Sequence, residues 1–104
     1  LKEDSPVMIL FKNEDLLIKN KDKKYHNLFL DLLITLTNDK LYYVLNQIDK
    51  IIFKDTMGII GMNLNASYEE IVKEIELLLS FKERLKYNIN LELFYSQLII
   101  EMMR

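Results

Sequence analysis

Residues 67–87 read SYEEIVKEIELLLSFKERLKY, and the fold class follows from them. Ser67 and Glu70 stand three apart just ahead of an apolar run, the spacing of a capping box. In that motif the hydroxyl accepts from an amide of the first turn while the carboxylate reaches back to the amide of the serine. Behind it Tyr68, Ile71, Val72, Ile75, Leu78, Leu79 and Leu85 recur at helical spacing, which predicts one buried stripe through about Tyr87. Glu69 and Lys73 are spaced as a supporting i,i+4 pair. The carboxylates Glu69, Glu70, Glu74 and Glu76 fall opposite the stripe, where a solvated helix surface accounts for them better than acid–base or metal chemistry.

Downstream, Asn88-Ile89-Asn90 interrupts the periodicity, and Asn90 is placed to cap a last helix over Leu91–Met103. Counted at about 100° per residue, Leu91, Phe94, Tyr95, Leu98, Ile99 and Met102 share one wide stripe toward the core. Leu93 and Ile100, seven residues apart, point to the other side, flanked by Gln97 and Arg104. Two readings of that second apolar pair stand level: contact with a helix of another molecule, or packing under the chain's own first helix.

Upstream, Ser5-Pro6 is a helix-start signal. The segment Val7–Lys19 reads as a helix, with a strand over Val7–Phe11 as the alternative. NKDKKYHN, residues 20–27, is a polar connection, better read as a solvated loop than as a phosphate-binding patch, and His26 as a surface or helix-start residue. Leu28–Leu45 is apolar on nearly every side, the pattern of a helix in the middle of its domain. Its polar run Thr37-Asn38-Asp39-Lys40 must meet solvent, a neighbouring subunit or a hydrogen-bond partner. Residues 47–65 are least regular: Ile51-Ile52-Phe53 reads as briefly extended, and Asp55 as the cap of a short helix through Met62. Gly58 and Gly61 would each weaken that helix by about 1 kcal/mol, and they lack the spacing of a phosphate loop.

The remaining constraints are compositional. The chain has 104 residues, half of them apolar, a net charge of −2, two glycines, one proline, one histidine and no cysteine. That length and apolar content predict a single ordered domain over residues 1–104. The scarcity of Gly and Pro argues against a many-stranded sandwich or barrel. No thiolate is available for zinc or nucleophilic catalysis, and no apolar run approaches the roughly 20 residues of a membrane span. The expectation is an all-α, compact bundle of about five helices with no cofactor and no catalytic set. The chain opens on Leu1 instead of methionine, which reads as trimming or as the end of a longer protein.

The C-terminal half carries a family likeness. Tyr68-Glu69-Glu70-Ile71, Leu77-Leu78, Lys82, Arg84-Leu85 and Asn88-Ile89-Asn90-x-x-Leu93 resemble the C-terminal domain of the bacterial DNA polymerase III delta-prime subunit. Upstream, Phe29-Leu30-Asp31-Leu32-Leu33 and Asn38-Asp39-Lys40-Leu41 look like that family's apolar helix and its following polar pair. The likeness runs from about Lys24 to Met103. Asn38, Leu91 and Ser96 depart from the family's usual arginine, proline and glutamate without disturbing the apolar spacing. The tau/gamma subunit, whose collar domain ends similarly, is the nearest confusable relative.

The resemblance implies a helical collar domain of a cytoplasmic, bacterial clamp loader, packed side by side in a ring with the tau/gamma and delta subunits. Its ATPase-like and zinc-binding modules would lie N-terminal to this segment, so the domain alone is expected not to be an enzyme. The residues expected at the subunit interface are Leu93, Gln97, Ile100 and Arg104, with Asn38, Asp39 and Lys40. Ser67, Glu70, Asn88 and Asn90 are the structural motif residues. No membrane contact and no direct nucleic-acid contact are expected, given the slight excess of acid. The reading from a different class is a small helical nucleic-acid-binding module using the lysines of residues 19–24.

Overall fold

Pro6 opens the first helix, where its fixed φ suits the turn and its missing amide costs nothing. The structure, a computed structural model, describes residues 6–52 and 67–104. It contains α1 (Pro6–Lys19), α2 (Lys23–Val44), a 3-10 turn (Ile48–Lys50), α3 (Tyr68–Arg84) and α4 (Leu91–Met103). Among the described residues these four α-helices and one 3-10 turn are the only regular elements, and there is no strand. The all-α expectation therefore holds, and the described residues supply four of the about five expected helices. Val7–Phe11 is helical, so the strand alternative is excluded. The expected roles of Ser5, Phe53 and the Asp55–Met62 helix with Gly58 and Gly61 lie outside the described residues.

Local chemistry sets the helix ends. Asp22, in an extended conformation, caps α2 by accepting from the Lys24 amide at 3.0 Å. The helix thus starts inside the polar connection, five residues ahead of the expected Leu28. At its other end Asn46 adopts φ 58°, the left-handed region that asparagine tolerates. The amides of Asn46 and Gln47 then return to the carbonyls of Tyr43 and Tyr42, closing the last turn as a Schellman motif. The capping box at α3 forms as expected: Ser67 Oγ accepts from the Glu70 amide at 3.2 Å, and Glu70 Oε1 from the Ser67 amide at 3.5 Å.

α2 lies along α3, and α1 along α4, each pair antiparallel. Lys82 of α3 meets Asp31 of α2 at 2.5 Å, while Thr37 donates to Glu74 at 3.4 Å. On the other pair, Ser96 of α4 donates to Glu14 of α1 at 3.3 Å. The two pairs close over one core, to which α1 gives Leu10 and Leu17, α2 gives Leu30 and Leu33, and α3 gives Leu78 and Phe81. The Phe94 ring of α4 stands edge-on to those of Phe81 and Tyr95, with centroids 5.5 and 5.0 Å away, a preferred aromatic geometry.

Two predicted faces are corrected. The buried side of α3 runs through Ile71, Leu78, Phe81 and Leu85, whereas Tyr68 and Leu79 are nearly half exposed. The stripe is rotated by roughly 65° from its expected centre, which brings Glu74 toward α2 instead of leaving it opposite the core. Likewise α2 is not sheathed all round: Leu28 is 69% and Leu32 40% exposed. The Glu69–Lys73 pair is not among the ion pairs formed by the described residues.

Candidate functional site

The outer side of α4 is the candidate site, and its position depends on what holds the inner side. Tyr95 is fully buried, and its hydroxyl lies 2.5 Å from Nδ1 of His26 in the first turn of α2. The other ring nitrogen, Nε2, lies 2.6 Å from the carbonyl oxygen of Asn20. A carbonyl only accepts, so Nε2 carries the proton and Nδ1 accepts from the Tyr95 hydroxyl, a tautomer assigned from its neighbours. His26 is thus a helix-start residue, as one reading expected, and not a surface one: it is 1% exposed. Burial, with Tyr25 nearby as the lesser cause, pushes the Tyr95 hydroxyl pKa well above the ordinary tyrosine value. The phenol stays neutral and the chain of hydrogen bonds stays intact.

This network fixes the rotation of α4 about its axis. With Phe94, Tyr95, Leu98 and Ile99 turned inward, the side at Leu93 must turn outward. Leu93 is 68% exposed and Ile100 55%, so neither packs under α1. Gln97 and Arg104 are exposed beside them, and Met103, which sequence reasoning left out, extends the row at 70% exposure. Arg104 Nη1 pairs with Glu101 Oε1 at 3.2 Å, a contact one turn long that leaves the guanidinium largely in solvent. Such an exposed pair contributes little to folding. Asn90 Oδ1 accepts from the Leu93 amide at 3.1 Å, so the cap also sets the start of the row. Asn88, by contrast, is exposed beside the cap.

The second expected segment is placed differently. Asp39 has no exposed surface, and its Oδ1 accepts from the Ile52 amide at 2.9 Å. It is a fold residue that ties α2 to Ile52, just after the 3-10 turn, and its burial keeps it out of a neighbour's reach. Thr37 is also buried, donating to the Leu33 carbonyl at 2.8 Å and to Glu74. Of the three fates open to this polar run, Thr37 and Asp39 take the hydrogen-bond partner, because the end of α2 is covered by α3 and the turn. Asn38 and Lys40 are half-buried, and among the described residues neither is hydrogen-bonded or ion-paired to the α4 row.

The row borders a cleft of about 470 Å³ between α3 and α4, lined by Glu70, Lys73, Glu74, Leu77, Glu101, Met102 and Arg104. Five of these seven residues are charged, with both signs present, and Leu77 and Met102 are its apolar part. Among the described residues no three His, Cys, Asp or Glu side chains come together as a metal site. No helix of the described residues is long and apolar enough to cross a membrane. Compared with protein-family models, with curated proteins and with solved structures, the chain matches none.

Proposed function

We propose that the chain is an assembly module: the C-terminal collar domain of a bacterial clamp-loader delta-prime subunit, joined to tau/gamma and delta through the outer row of α4. The observation that carries this reading is the exposure of Leu93 and Ile100 on a helix whose opposite face fills the core. The resemblance of residues 24–103 to that family supplies the identity of the partners. Full burial of a leucine or isoleucine is worth about 1.5–3 kcal/mol, and association costs upward of about 4 kcal/mol. Two such side chains do not hold a complex by themselves. They serve as the centre of a patch that must reach roughly 800 Å² per partner, with Met103 and the cleft beside Arg104 as its continuation.

Leu93→Asp with Ile100→Asp tests the assignment in co-expression with tau/gamma and delta. The double variant is expected to keep its helical circular dichroism and to lose co-purification with both partners. Co-purification at the wild-type level by a folded variant refutes the interface.

A further inference from the structure

The fold gathers charges that are separate in the sequence. Because both helix pairs are antiparallel, the end of α1, the start of α2, the end of α3 and the start of α4 meet at one end of the molecule. Lys19, Lys21, Lys23 and Lys24 arrive there from the first connection, and Lys82, Arg84 and Lys86 from the end of α3. Five carboxylates accompany these seven cations: Asp15, Asp22, Asp31, Glu83 and Glu92. This end therefore carries +2, whereas the other described residues, with five cations and eight carboxylates, carry −3. The molecule is 39 Å long, several times the screening length of about 8 Å at physiological salt. The acidic remainder does not cancel the field at the basic end.

Several of these cations are already engaged. Lys82 pairs with Asp31 at 2.5 Å and Lys86 with Glu83 at 2.7 Å, Lys23 Nζ donates to the Tyr87 carbonyl at 3.0 Å, and Arg84 sits 4.1 Å from the centre of the Phe81 ring. Lys19, Lys21 and Lys24 make no such contact among the described residues, and all three are exposed. Two aromatic rings stand among them, Tyr25 at 42% and Tyr87 at 69% exposure. A cleft of about 450 Å³ opens beside Lys21 and Lys23, edged by the amides of Asn88 and Asn90.

The geometry points to this end as a binding surface for single-stranded nucleic acid, with the free lysines on phosphates and the tyrosine rings stacked on bases. Such sites combine a cationic track with aromatic faces that accept any base. A duplex is the poorer fit, because helix ends and turns form this surface and no helix lies lengthwise along it to enter a groove. An anionic lipid surface shares the lysine contacts, and the vesicle arm of the test separates the two. The slight acidity of the whole chain, which argues against nucleic acid when the charge is averaged, loses its force once the charges are segregated.

The test uses the whole chain and fluorescein-labelled 20-mers of oligo(dT) and oligo(rU), read by fluorescence anisotropy. If three or four phosphates are contacted, affinity falls about 20–50-fold between 50 and 200 mM salt, from a slope of roughly −0.7 per phosphate. Lys21→Glu with Lys24→Glu lowers affinity about tenfold or more at 50 mM salt, whereas Lys50→Glu, at the other end, alters it by no more than about twofold. Tyr87→Ala weakens oligonucleotide binding about fivefold, as expected for loss of one stacked base, and leaves binding to inorganic polyphosphate unchanged. Equal loss with dT and rU points to the phosphates and base faces; a preference of either sugar still supports the surface. Absence of binding at 50 mM salt, equal affinity of the folded Lys21/Lys24 variant, or tighter binding to phosphatidylserine vesicles overturns the inference.

Discussion

The inner and outer sides of α4 are built from nearly the same kinds of residue and have opposite fates. Inside, Phe94, Tyr95, Leu98 and Ile99 are buried; outside, Leu93, Ile100 and Met103 are more than half exposed. Residue type does not distinguish Leu98 from Leu93. What separates them is angle, and beside the packing of α1 two polar contacts pin it: the Tyr95 hydroxyl on His26 and Ser96 on Glu14. An apolar helix without a polar face gives the hydrophobic effect no single side to choose, because burial is non-directional. A hydrogen bond that leaves two buried polar groups unpaired if it is missed supplies the direction.

The largest effect expected from this contrast belongs to the inner side. Leu98 has no exposed surface, so Leu98→Ala removes buried methyl groups and leaves a cavity. The loss is about 2–5 kcal/mol, a large part of the roughly 5–15 kcal/mol that holds an ordinary domain folded. Urea unfolding of the variant measures it directly. A loss below about 1 kcal/mol would mean that the helices close over the gap and that the inner side is looser than its burial indicates.

Tyr95→Phe is expected to cost less, and it asks a sharper question. The ring and its packing stay, while Nδ1 of His26 is left buried without a donor. The cost of such an unpaired group is about 1–3 kcal/mol. The same substitution has a signature in alkali. Burial raises the folded-state pKa of Tyr95 above the ordinary value, so the unfolded chain gives up this proton first as pH rises. The stability contributed by the neutral phenol is complete below a pH of about 10, the ordinary tyrosine value, and is lost above it. Wild-type protein should therefore lose stability more steeply than Tyr95→Phe between about pH 9.5 and 11. Parallel curves would mean that the hydroxyl ionises without hindrance and does not hold α4 in place.

How much of this was legible in the residues differs along the chain. The last helix is legible with its correct bounds, because Asn90 caps it and the spacing of Phe94, Tyr95, Leu98 and Ile99 is counted from local sequence. The exposed placement of Leu93 and Ile100 was one of two readings, and only the packing of α1 against the other side separated them. The start of α2 is hidden because the lysines around Asp22 resemble a solvated loop, although an aspartate is among the good N-caps. His26 gave no sign of its burial, since its partner Tyr95 lies 69 residues away. Asp39 shows the same difficulty: an aspartate in a polar run looks like surface until the 3-10 turn brings the Ile52 amide to it. Signals carried within one helix turn were readable. Pairings between distant elements, which decide the rotation of α2 and α3 and the segregation of charge, were not.

The smallest effect expected is the one that sharpens the contrast most. Leu93→Gln and Ile100→Gln, made singly, remove methyl groups that are already largely in water. Surface substitutions of this kind usually change stability by no more than about 0.5 kcal/mol, and glutamine is as good a helix former as these positions require. Urea midpoints within error of the wild type, beside the large loss for Leu98→Ala, would establish that folding uses one side of α4 and leaves the other unspent. An apolar row that contributes nothing to the monomer is then free to be spent on contact with a partner, as the proposed assembly role requires. A loss above about 1 kcal/mol at either position would instead return the row to the monomer's own packing, and the case for a docking partner on α4 would fall with it.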